Sequence, residues 1–146
     1  MVSKEVEKLL LKVQKPGRYV GGELNEVIKD KKKVDCRFAF CFPDTYEVGM
    51  SHLGMKILYS LMNAVPYIWC ERVFAPWVDM EEEMIKHNIP LYALESGDPV
   101  FDFDFIGFTL QYELSFTNML NMLRLSGVPI KSCDRKELKN IVVAGG

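Results

Sequence analysis

The sequence predicts an open, doubly wound α/β domain: a mainly parallel five-stranded sheet between two layers of helices, a three-layer α/β/α arrangement. Three observations lead there. The 146 residues are enough for one domain with one core. Hydrophobic residues at 49% and charged residues at 26% match a folded globular chain rather than a disordered, collagenous or coiled-coil one. From residue 34 onward, short apolar runs alternate with helix-period segments, and parallel strands need such crossover connections.

The elements follow in order. Val6, Leu9, Leu10 and Val13 stand at i, i+3, i+4 and i+7, so residues 3–14 read as an amphipathic helix with Ser3 as cap and Pro16-Gly17 as stop. A turn-rich link, residues 18–23, and the run Lys31-Lys32-Lys33 lead to the first strand; the lysines read as a solvated approach. Strands are expected over residues 34–42, 67–73, 91–94, 105–110 and 141–144. Helices are expected over 50–65, 79–87 and 115–126, the last closed by Gly127. The topology is Rossmann- or flavodoxin-like. Residues 1–33 form an N-terminal helix and linker, and residues 34–146 form the α/β domain. A doubly wound sheet would cover its last strand with one more helix, so the chain is expected to be the front part of a longer protein.

Composition also limits function. The net charge of −2, from 18 basic and 20 acidic residues, creates no field suited to a nucleic-acid backbone. The longest apolar runs fall far short of the roughly 20 residues that span a bilayer. The start, Met1-Val2-Ser3-Lys4-Glu5, is charged where a signal peptide is apolar, which points to the cytoplasm. The four cysteines are then expected to remain thiols.

In open α/β sheets, ligands lie beyond the carboxyl ends of the strands. The loop after the first strand holds Asp44, Thr45, Tyr46, Gly49 and His52 just ahead of a helix, whose start offers free backbone N–H groups. The competing reading makes Asp44 a helix cap and Gly49 and Gly54 close-packing positions. After the fourth strand come Gln111, Tyr112, Glu113 and Ser115, with Ser115 as a helix cap in the plainer reading. Glu71 and Arg72 form an ion-pair candidate at a strand end, followed by Phe74 and Trp77 as packing aromatics.

Metal and nucleophile signatures are missing. Cys36 and Cys41, five apart on one strand, face opposite sides about 16 Å apart. There is no C-x-x-C, no H-E-x-x-H and no glycine-rich phosphate loop. His87 ends a charged helix and reads as solvent-facing, and the eight methionines read as core filler.

Several segments together carry a resemblance. They are Arg18-Tyr19-Val20-Gly21-Gly22-Glu23-Leu24-Asn25, the loop of residues 42–54, Glu71-Arg72-Val73-Phe74-Ala75-Pro76-Trp77, Leu94-Glu95-Ser96-Gly97, and residues 107–115. Over residues 18–146 the chain resembles the amino-terminal, cobalamin-binding-like domain of an uncharacterised family of radical SAM (S-adenosylmethionine) proteins. The resemblance implies a fold in which a corrin ring lies over the carboxyl edge of the sheet. Such domains carry D-x-H-x-x-G, then a small hydroxyl residue, then Gly-Gly. Here these become Asp44-x-Tyr46-x-x-Gly49, Thr109 or Ser115, and Gly145-Gly146. Tyrosine replaces the histidine, and a phenol with a pKa near 10 is a poor metal ligand where neutral imidazole is a good one. Cobalamin is thus expected, if present, without a protein histidine ligand, and His52 is expected to point elsewhere.

The resemblance further implies a downstream barrel whose C-x-x-x-C-x-x-C motif holds a 4Fe-4S cluster that cleaves S-adenosylmethionine. None of Cys36, Cys41, Cys70 or Cys133 matches that motif, so this chain alone is expected not to be catalytic. The expected role is an accessory domain forming part of the enzyme's active-site wall, with the barrel as its partner. The alternatives are a scaffold that keeps the fold but has lost cobalamin, and a flavodoxin-like or nucleotide-binding domain.

Overall fold

The computed structural model of the protein describes residues 3–136 and 140–146. Their order is α1 (Lys4–Leu10), β1 (Cys36–Phe42), α2 (Tyr46–Ser51), α3 (Leu53–Asn63), β2 (Ile68–Phe74), α4 (Val78–His87), β3 (Phe105–Thr109), α5 (Ser115–Leu125) and β4 (Ile141–Gly145). The four strands are all parallel and lie in the order β2-β1-β3-β4. Cys36 pairs with Ile68, Phe38 with Phe105, and Phe105 with Ile141, so the strands end near one level and their carboxyl ends form a common rim.

Alternation along β1 assigns the core. Ala39 and Cys41 join Val73, Ile106 and Phe108 under α1 (Val6, Leu9), α4 (Met80, Met84) and α5 (Met122, Leu123). Phe40 and Phe42, which point the other way, join Cys70 and Phe74 under Met55 and Tyr59 of α3. Each fully buried Val, Leu, Ile, Phe or Met among them contributes about 1.5–3 kcal/mol. Four of the methionines are among this filling, suited by their flexible shape.

Local chemistry sets the boundaries. Ser3 caps α1 by accepting the Val6 N–H at 3.2 Å. The helix stops at Leu10, short of the expected residue 14, because the Gln14 N–H is taken by Asp79 at 2.9 Å. The helix expected over residues 50–65 is two helices, broken at His52, whose backbone is extended and whose Nδ1 accepts the Met55 N–H at 3.2 Å. At the end of α5, Gly127 takes a φ of 69°, and the Val128 N–H returns to Leu123 O at 3.0 Å.

The expected strand over residues 91–94 is absent from the sheet. Tyr92 makes only an isolated antiparallel bridge to Pro99, and Leu94 N–H reaches Arg72 O at 2.9 Å. The next place on the β2 edge is taken by a side chain, since the Arg72 N–H donates to the Glu95 carboxylate at 2.7 Å. A carboxylate in that place stops a backbone ladder from continuing. Nor do Glu71 and Arg72 pair with each other. Successive strand residues face opposite sides, so Glu71 meets Arg37 at 2.5 Å and Arg72 meets Glu95 at 2.6 Å.

Candidate functional site at the carboxyl rim

In the observed strand order, the connection from β1 leaves toward β2 while β3 lies on its other side, so the loops after β1 and β3 diverge beside one another. Such a reversal is where open α/β sheets form their binding crevice. Of the polar residues expected there, Asp44 and Tyr112 meet across it, and His52, Gln111 and Thr109 form a second chain.

Asp44 follows β1 and is fastened by two backbone bonds, its N–H donating to Phe42 O at 2.8 Å and its carbonyl accepting the Ala75 N–H at 3.0 Å. Its carboxylate accepts the Thr45 N–H at 2.6 Å through one oxygen and the Tyr112 hydroxyl at 2.8 Å through the other. That second bond spans the crevice, and the carboxylate holds the Tyr112 phenol above its ordinary pKa. Thr45, not Asp44, is the N-cap residue of α2, and its side chain makes no capping bond.

His52 lies against the Phe42 ring with centroids 5.3 Å apart. Its Nε2 is 3.2 Å from Gln111 Oε1, and the Gln111 amide donates to Thr109 Oγ1 at 2.5 Å. His52, a residue of the first loop not expected as a metal ligand, joins the rim, because the helix break turns it toward β3. Leu110 N–H donates to Gly145 O at 2.7 Å. A Cβ on Gly146 would fall 1.8 Å from Leu110 O, so glycine suits this close approach of the backbone after β4 to Leu110.

Other expected residues lie elsewhere. The Tyr46 hydroxyl donates to the Glu23 carboxylate, and its ring stands edge-on to Phe74 at 5.5 Å. Burial, with Glu23, pushes this phenol up to about 12. Gly49 is a packing position, where a Cβ would come within 2.2 Å of the Phe74 ring. Ser115 is buried as the first residue of α5, with Leu114 in the cap position, so it is not the cap. Glu113 is exposed.

Two participants were not anticipated. Asn118 of α5 donates to Pro43 O at 2.9 Å, pinning the first loop from below. Nothing local marks it, since α5 also carries Ser115, Thr117, Asn121 and Arg124. Glu23 closes over Tyr46 from a link 23 residues upstream, and no local pattern marks it.

The assembled rim is a carboxylate, a phenol, an imidazole, an amide and a hydroxyl joined by hydrogen bonds between two loops. Such a set offers hydrogen-bond donors and acceptors to polar groups. Among the described residues, no group of three or more His, Cys, Asp and Glu side chains could hold a metal ion, and no helix is long and apolar enough to cross a membrane.

The family described as radical SAM proteins, N-terminal, matches residues 54–146, from α3 through β4 and well over half of the chain. The chain belongs to this family. The match takes in the β3 loop and Gly145-Gly146 of the rim, while the Asp44 loop precedes it. No curated protein and no solved structure matches the chain.

Proposed function

We propose that this radical SAM N-terminal chain is a non-catalytic accessory module, residues 34–146 forming an α/β domain and residues 1–33 a leading helix and linker, that packs against the catalytic part of the same protein. The family match carries this reading. Two apolar clusters on opposite sides of β1 support the three-layer, doubly wound description. The rim would supply one wall of the downstream site, with Asp44, Tyr112, Gln111, His52 and Thr109 as its hydrogen-bonding groups.

The residues present do not fit an axially ligated cobalamin. Tyr46, in the place of the expected histidine, is a high-pKa phenol committed to Glu23 and turned toward Phe74. Both His52 nitrogens face partners, Met55 N–H and the Gln111 amide. The crevice between β1 and β3 is crossed by the Asp44–Tyr112 bond, where a corrin would need room. These features favour the scaffold reading, in which the fold is kept and its rim serves as a protein contact.

The test uses the complete polypeptide, purified without oxygen and supplied with iron and sulfide. We expect 4Fe-4S absorption, reductive cleavage of S-adenosylmethionine, and unchanged visible bands on titration with hydroxocobalamin. Absence of both cluster and cleavage would overturn the radical SAM reading. A shifted corrinoid band, or a co-purifying corrinoid, would replace the scaffold reading with a cofactor-binding one.

A further inference from the structure

Arg72 of β2 has more donors than its neighbours accept. Its side chain is only 4% exposed, and its Nε donates to Glu95 Oε1 at 2.6 Å. Glu95 does not extend to Nη2, because its second oxygen accepts the Arg72 backbone N–H. Nη1 meets the Met50 sulfur at 3.4 Å, and a thioether is a weak acceptor. Nη2 is buried and has no acceptor among the described residues. A charged donor left in this way costs more than a hydrogen bond made elsewhere returns, so the outer end of the guanidinium calls for an acceptor.

That end meets a small cleft. Arg72 and Met50 line it with the buried Met55 and Tyr59 and with the exposed Asn25 and Lys56, so the link, α3 and β2 each give it a donor. Neither the Asn25 amide nor the Lys56 ammonium has a partner among the described residues. No described carboxylate lines the cleft. Glu95 balances Arg72, and Glu23, which lies within electrostatic range of Arg72, is held by the Tyr46 hydroxyl. Lys56 therefore leaves the cleft net positive. The Tyr59 hydroxyl is committed as well, accepting the Val27 N–H at 2.8 Å. Free donors, a positive charge and soft thioether walls together suit an anion.

We infer that this cleft binds one small monovalent anion of halide size, held by the Nη groups of Arg72 and closed over by the Lys56 ammonium and the Asn25 amide. The cavity measures about 10 Å³, close to the room of a single water, so phosphates and nucleotides are too large. The flexible side chains of Met50 and Met55 can yield the little more that chloride needs. A neutral water would satisfy Nη2 but leave Lys56 uncompensated. The bound anion joins the link to α3 and β2, so the link lifts only when the anion leaves. This goes beyond the accessory-module reading and does not depend on it.

The test is hydrogen exchange of peptides carrying Val27 in the complete polypeptide, as sodium chloride replaces sodium gluconate at constant ionic strength. Gluconate is too large for the cleft. The Val27 N–H is freed from Tyr59 when the link lifts, so its exchange slows by the ratio of chloride concentration to Kd, plus one. We expect a saturable slowing of at least about fivefold at about 200 mM chloride. Lys56→Glu should cut this to less than about twofold. Arg72→Lys, which keeps a cation against Glu95 but lacks the Nη groups, should do the same. In crystals grown with sodium bromide, a bromine anomalous peak should stand beside Nη2. A smaller slowing in the wild type, or an undiminished one in Lys56→Glu, would overturn the inference. So would a water at Nη2 in the bromide crystals, or a bromine peak with no effect on exchange, which is binding at crystal concentration only. The readout needs neither cluster nor cofactor, so failure of the radical SAM reading would appear separately, in the absent cluster absorption.

Discussion

Arg72 and Glu95 hold each other beneath the surface, Nε to Oε1 at 2.6 Å, while the other Glu95 oxygen accepts the Arg72 backbone N–H at 2.7 Å. One side chain thus neutralises the guanidinium and also takes a backbone donor on the outer edge of β2. Burial raises the Glu95 carboxyl above its usual range, and Arg72 pulls against it. The guanidinium also lies over the Tyr59 ring, 4.4 Å from its centroid.

Removing one partner should be costly. Glu95→Ala leaves a buried cation and a backbone N–H without their acceptor, and we expect a loss of about 3–5 kcal/mol in urea unfolding. The double variant Arg72→Met with Glu95→Leu should recover most of it. A Glu95→Ala loss below about 1 kcal/mol would show that solvent reaches the pair.

Gly49 and His87 should separate packing from surface. Gly49→Val forces a branched side chain into the Phe74 ring, with an expected loss of about 1–3 kcal/mol. His87→Ala, at an exposed helix end, should stay within about 0.5 kcal/mol. Equal melting temperatures would mean that the α2 contact on β2 is not formed.

Asp98 predicts an acid limb. Burial alone would raise its carboxyl, but Lys31 and Arg37 override this and hold it below its ordinary value. Its ionised form is therefore favoured by folding. The stabilisation is present above the unfolded pKa near about 4 and is lost as pH falls through the lower folded value. Asp98→Asn should flatten stability against pH in that window and leave the slope above it unchanged.

Tyr46 predicts the alkaline counterpart. With its phenol pushed up to about 12, the folded state keeps a proton that the unfolded state releases near 10. Its contribution is complete below pH 10 and declines between 10 and 12. The decline should be shallower in Tyr46→Phe. An absorbance titration of the folded wild type that shows Tyr46 ionising near 10 would contradict the packing described.

Much of the rim was legible because it depends on local rules. Strand ends in an α/β alternation locate the loops, and Asp44, Gln111 and Tyr112 are polar residues following apolar strands. His52 is legible as a residue of the first loop but not as a cap, because an expected helix over residues 50–65 carries no break there, whereas its Nδ1 accepts the Met55 N–H at the start of α3. The fifth strand was misjudged because residues 91–94 have strand composition, while the place that would extend it is filled by Glu95.

Hydropathy period, helix stops and βα alternation, all short-range properties of the chain, determined by themselves that this protein is α/β with a parallel sheet and where its loops fall. Only the tertiary structure decided which polar residues meet: Asp44 with Tyr112, His52 with Gln111, Arg72 with Glu95, Tyr46 with Glu23. Those pairs lie 23 to 68 residues apart. A side chain's partner at such separation is set by strand register and helix placement, which burial of the two cores selects and no local spacing encodes.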